Sequence, residues 1–115
     1  SKAPGYVTWS PENRSQLVRI PAADGEYRRA ELRSPDPLCN PYIAFALMIR
    51  ASLDGIERGL KLPEAADVNL FTSPDSVTGK YKALPKSLCE AANAAKGSDF
   101  IAKCLPESVI KAYLR

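Results

Sequence analysis

At 115 residues, with 45% apolar and 25% charged side chains, the chain is long enough for one domain and too apolar to be disordered. A net charge of +3 is too small to point to nucleic acid by itself. The absence of histidine excludes a Ser-His-Asp or Cys-His site, and a typical zinc site, within these residues.

Ser1 to Gly5 read as a loose end. YVTWS, rich in aromatic and β-branched residues, predicts a short strand closed by Pro11. PENRS is turn chemistry, and QLVRIPA predicts a second strand with Gln16, Val18 and Ile20 on one face and Leu17 and Arg19 on the other. AADGE is a hairpin-type loop carrying a D-G turn signal. YRRAELRS predicts a third strand, with Ala30 and Leu32 facing away from Arg29, Glu31 and Arg33. The expected result is an antiparallel β-meander with one face on a core and one face charged.

The prolines of SPDPLCNP end the sheet. Asn40 is a good N-cap with Pro41 in the first helical position. The helix that follows carries Tyr42, Phe45, Ile49, Leu53, Ile56 and Leu60 as one stripe and Ile43, Leu47 and Ala51 as a second. Its first half is apolar almost all round, which predicts burial on more than one side. Arg50 and Asp54 are spaced to pair, and Gly59 is near the stop. Residues 61–84 read as a long loop. Ser87 and Glu90 form a capping-box signature for a helix over residues 88–95, Asp99 starts a short turn, and residues 106–114 read as a last small helix. The fold class is therefore α+β: a meander packed on a long buried helix, followed by shorter helices. Cys39, Cys89 and Cys104 show no C-x-x-C spacing, which predicts reduced, inert, buried thiols in a cytoplasmic protein. The longest apolar run, IAFALMI, is far too short to span a bilayer, and no signal peptide is visible.

Two readings of the third strand stay open on pattern alone. Arg29, Glu31 and Arg33 at every second position suit a solvated charge ladder. With Arg14 and Arg19 on the neighbouring segment they also suit an anion site, because clustered guanidiniums repel by roughly 1–4 kcal/mol per close pair unless anions fill the space. Phosphate oxygens bridged by Mg²⁺, with Glu31 as an oxygen ligand, are one such filling. Trp9 reads as packing rather than base stacking, and Ser15 has no base to activate it.

WSPENRSQLVRIP followed by RRAELRSPDPLCNPYIAFALMIRASLDGIERGL resembles the carboxy-terminal part of the catalytic domain of the glutamine synthetase family. The pattern is an N-R-S turn, an R-I-P strand, E-x-R, P-D-P, N-P-Y and a helix ending in L-D-G-I. The likeness continues through DVNLF and SLCEAANA and covers roughly residues 5–114, so residues 1–115 are taken as one fragment of that domain. The resemblance implies that Arg14 contacts the glutamate side and the transferring phosphate as a catalytic arginine. It places Arg19 and Arg29 on the ATP phosphates, makes Glu31 a ligand of a divalent metal (Mg²⁺ or Mn²⁺), and sets Arg33 on the carboxylate of the substrate glutamate. The implied reaction is phosphorylation of the glutamate side chain by ATP, then displacement by ammonia. The implied complete enzyme is a homo-oligomeric double ring, with neither nucleic acid nor membrane as partner.

The departures are equally informative. The family's other metal-binding carboxylates, its metal-ligating histidine and its glycine-rich ATP signature are absent. A family lysine before R-R is missing from AADGE, and the tyrosine that some bacterial members modify with AMP falls at Phe71. The expectation is one wall of an active site, inactive alone. The rival reading is a non-catalytic remnant acting as a structural or self-association module.

Overall fold

A computed structural model describes residues 3–114 as a small mixed α+β protein. It divides into two compact units, Ser1–Asp36 with Pro63–Leu84, and Pro37–Leu62 with Pro85–Arg115.

The first unit contains a three-stranded sheet in the order β1 (Trp9–Ser10), β2 (Val18–Arg19), β3 (Glu31–Leu32). β2 and β3 are antiparallel, as expected, but β1 runs parallel to β2. The meander is corrected there, and the cause lies in the connecting turn. Ser10 Oγ accepts hydrogen bonds from the backbone N–H of Glu12 (3.3 Å) and Asn13 (3.2 Å), and Asn13 Oδ1 accepts from Ser15 N (2.9 Å). These side chains replace strand partners and wind the N-R-S turn into a loop that sends the chain back in its original direction. Val18 N and Ile20 N then donate to Thr8 O and Ser10 O.

The register places Ser10, Arg19 and Glu31 in one row across the sheet and Trp9, Val18 and Leu32 in the other. In-register partners share a face, so the sheet has one polar and one apolar row. The regular strands are short, because Arg28, Arg29 and Ala30 are exposed and unpaired in the ladder. The expected hairpin is a turn of 3₁₀ helix over Gly25–Tyr27, with Gly25 at φ 57°, a conformation that favours glycine. Part of the expected loose end is tied down, since Gly5 O accepts from Leu84 N and Pro4 is buried; Ser1 and Lys2 lie outside the described residues. The loop after the long helix carries a short helix, α2 (Asp75–Thr78), which the sequence pattern did not predict.

The second unit is helical: α1 (Pro41–Glu57), α3 (Leu88–Lys96), α4 (Asp99–Cys104) and α5 (Glu107–Tyr113). α1 starts as expected, with Asn40 Oδ1 accepting from Tyr42 N (3.0 Å) and Ile43 N (3.2 Å). It ends in a Schellman motif, in which Leu60 N bonds Gly55 O and Gly59 N bonds Ile56 O while Gly59 takes φ 61°. Ser87 Oγ accepts from Glu90 N (3.1 Å), and the Glu90 carboxylate reaches back to Lys86 N (2.8 Å). α4 starts at Asp99, as expected, and Ser98 Oγ caps it by accepting from Ile101 N (3.2 Å).

Three expectations fail in this unit. α1 carries no buried residue, because the shorter helices are too few to cover more than part of it; α4 packs on it, and Tyr113 Oη accepts from Asn40 N at its start. Asp54 pairs with Arg58 (2.7 Å) instead of Arg50. An acid four residues N-terminal to its cation is the better-oriented helical pair. The thiols are free, but Cys89 is exposed and Cys39 and Cys104 only half-buried.

Candidate functional site

The charged row of the sheet is organised around Glu31. Arg19, directly opposite it in the register, donates from Nη1 to Oε1 (2.9 Å) and Oε2 (3.1 Å). Arg29, two residues earlier on the same side of the chain, donates from Nε to Oε2 (3.1 Å). Arg19 Nε also donates to Glu12 O (3.3 Å), which anchors the guanidinium to the N-R-S turn. One carboxylate therefore lies between two guanidiniums, leaving excess positive charge on a half-exposed face. Such an arrangement has guanidinium donors to offer an anion in charge-assisted hydrogen bonds.

The hydrogen bond from Arg19 holds the Glu31 carboxyl below its ordinary value of 4.5; partial burial opposes this, and the bond from Arg29 adds to it. A lowered acid strengthens the fold above its unfolded pKa and loses that contribution as pH falls through the folded value. Between 4.5 and more acidic pH, urea unfolding of Glu31→Gln is therefore expected to show a shallower loss of stability than the wild type. Parallel slopes in that window would show that the cluster has no stabilising role.

Arg33 and Arg14 are placed differently. Arg33 N bonds Leu17 O (2.9 Å) and so continues the β2–β3 ladder, yet its guanidinium makes no hydrogen bond to Glu31 among the described residues. Its Nη1 is buried without a partner. A buried, unpartnered guanidinium nitrogen is costly unless an acceptor reaches it, so this atom invites an anionic ligand. Arg14 is exposed at the tip of the N-R-S turn.

The residues that hold this turn were missed by pattern. Gln16, with no exposed surface, donates from Nε2 to the carbonyls of Ala66 and Val68. Ser15, equally buried, donates to Asn13 Oδ1 (2.8 Å) and accepts from Leu70 N (2.8 Å). Ser10 Oγ bonds Asp67 Oδ1 (3.4 Å). Ala66 and Leu70 are the buried apolar partners of this polar clasp. The only hint in the sequence was the Asn-Arg-Ser turn itself. Trp9 fits its packing reading: it is half-buried, and its indole N–H donates to Pro63 O (2.7 Å).

The described residues contain no group of three or more His, Cys, Asp or Glu side chains placed to hold a metal ion. Glu31 is one oxygen donor, engaged by two arginines, so these residues do not make a metal site by themselves.

Residues 1–115 match the family "Glutamine synthetase, catalytic domain". The chain belongs to that family. It is 47% identical to a glutamine synthetase of Methanosarcina mazei over 98% of this chain and 26% of the relative. It is 42% identical to that of Thermus thermophilus over 99% of this chain and 26% of the relative. Among solved structures it superposes on the GmaS/ADP complex (conformation 1) with a TM-score of 0.80 and 29% identity, covering 97% of this chain and 24% of that one. The chain thus spans about a quarter of the length of the glutamine synthetases it matches. The likeness expected from the N-R-S, E-x-R and N-P-Y motifs is borne out, and so is the α+β class.

Proposed function

We propose that this chain, as a fragment of the catalytic domain, forms one wall of the active site of a cytoplasmic ATP-dependent glutamate–ammonia ligase. In this reading a γ-carboxylate oxygen of glutamate attacks the γ-phosphorus of ATP and ADP leaves. Ammonia then attacks the acyl carbon, and phosphate departs. Arg19 and Arg29 engage the ATP phosphates, Arg14 reaches the transferring phosphoryl group and the glutamate beside it, and Arg33 takes the carboxylate of glutamate. Charge spreading over the transferring group is stabilised by guanidiniums already fixed in place, which need little reorganisation during reaction. Glu31 orients Arg19 and Arg29, and would give Mg²⁺ or Mn²⁺ one oxygen ligand, the other donors coming from outside these residues. The reading also implies a homo-oligomeric ring enzyme.

The observation that carries this is the in-register contact of Arg19 and Glu31 across β2 and β3, with Arg29 closing on the same carboxylate. The ADP bound in the GmaS complex supports a nucleotide as the anion. The 115-residue chain alone is expected to show no γ-glutamyl transfer with Mg²⁺ or Mn²⁺. ATP is nevertheless expected to stabilise it in a thermal shift, by about 1.4 kcal/mol at ten times Kd. Robust turnover by the isolated chain would refute the one-wall reading, and no shift at millimolar ATP would refute the retained phosphate site.

A further inference from the structure

The largest fully buried side chains among the described residues are all polar: Gln16, Ser10 and Ser15. Gln16 and Ser15 spend their bonds on the segment from Ala66 to Leu70 and so hold the loop. Ser10 differs from them in its place. It is in register with Arg19 across β1 and β2, in the row that continues to Glu31.

The Ser10 hydroxyl is used to capacity. Its Oγ accepts from the N–H of Glu12 and of Asn13, and its proton goes to Asp67 Oδ1 (3.4 Å). One of these bonds bears on the charged site. The N–H of Asn13 and the C=O of Glu12 belong to one planar peptide unit and point in opposite directions. Ser10 holds the N–H at 3.2 Å, and the C=O accepts from Arg19 Nε at 3.3 Å. A peptide plane pinned at its N–H cannot turn its carbonyl away, and a donating N–H makes that carbonyl a stronger acceptor.

The guanidinium is planar and rigid, so two held nitrogens fix the direction of the third. Nη1 of Arg19 lies on both oxygens of Glu31 and Nε lies on Glu12 O, which leaves Nη2 for an anion. Without the hold at Nε, the group can swing about its contact with Glu31 and carry Nη2 off a ligand.

We propose that Ser10, with Asp67 taking its proton, is a positioning residue that aims Arg19 at the phosphates of ATP. It touches no substrate and acts through the Glu12–Asn13 peptide. This rests on the ligase reading, in which Arg19 engages those phosphates.

In an enzyme containing this segment, Arg19→Ala is the reference and should raise the KM for ATP on the order of tenfold or more. Ser10→Ala should raise it on the order of tenfold and move the KM for glutamate by less than about threefold. In the double variant the two effects should not add, because the hydroxyl acts through a guanidinium that is gone. A hydroxyl that only stabilised the turn would lower Tm equally with or without Arg19 and show no such dependence in KM. Asp67→Ala, at an exposed position, covers a Ser10 variant that does not fold; it should raise the KM for ATP about threefold, and only when Arg19 is present. Additive effects on KM would overturn the proposal. So would an unchanged KM for ATP in Ser10→Ala, or in Asp67→Ala where that variant decides, while Arg19→Ala raises it. If Arg19→Ala itself leaves the KM for ATP unchanged, the assignment of Arg19 to ATP fails first and the proposal falls with it.

Discussion

Replacing Gln16 with leucine is expected to destabilise the first unit by about 2–4 kcal/mol, since each buried carbonyl left without its donor costs about 1–3 kcal/mol. Gln16 is fully buried, and its Nε2 serves both Ala66 O and Val68 O, residues some fifty positions away. Leucine fills much of the volume but supplies no donor. Ser15 Oγ, 3.3 Å from Val68 O, gives that carbonyl only weak compensation and cannot reach further, because its one proton is better placed on Asn13 Oδ1. For a unit of this size the loss corresponds to a drop in Tm on the order of 10 °C or more. Hydrogen exchange gives the finer test. The N–H groups of Val18 and Ile20, bonded to Thr8 O and Ser10 O, should lose protection together, because the clasp fixes the turn between them. A change below about 0.5 kcal/mol would mean the clasp is incidental.

In an enzyme containing this segment, Arg33→Ala should raise the KM for glutamate on the order of 10–100-fold while moving that for ATP by only about threefold. The buried Nη1 of Arg33 has no partner among the described residues, whereas Arg19 and Arg29 are already committed to Glu31. A guanidinium nitrogen that spends nothing on the fold is available for a carboxylate. Arg33 also differs from Gln16 in its effect on stability. Arg33→Met in the isolated chain should change unfolding free energy little, since it removes an unsatisfied donor rather than a satisfied one. Equal effects of Arg33→Ala on both substrates would count against its assignment to glutamate.

Much of the charged site was legible from the period of two along RRAELR. Arg29 and Glu31 meet because alternate residues of an extended chain share a face. That period also put Arg33 beside them, yet its guanidinium does not join the carboxylate, since a shared strand face sets where a side chain starts and not which partner it takes. The roles assigned to Arg14, Arg19, Arg29, Glu31 and Arg33 came from family resemblance and are proposals. The exposed α1 shows a different failure of pattern. An all-round apolar helix signals that something covers it, without saying whether the cover lies in the same chain, in another segment or in a second copy.

What the sequence determined by itself is local. The Asn40 cap with Pro41, the Ser87–Glu90 pairing and the Gly59 stop each depend on hydrogen bonds spanning about five residues or fewer, so the residue types nearby suffice to specify them. What only the tertiary structure decided depends on distant partners. The parallel run of β1 beside β2, the register that sets Arg19 against Glu31, and the burial of Gln16 against Ala66 and Val68 are of this kind. Their free energy comes from satisfying polar groups brought together from remote parts of the chain, and no periodicity within a strand records which remote carbonyl will be waiting.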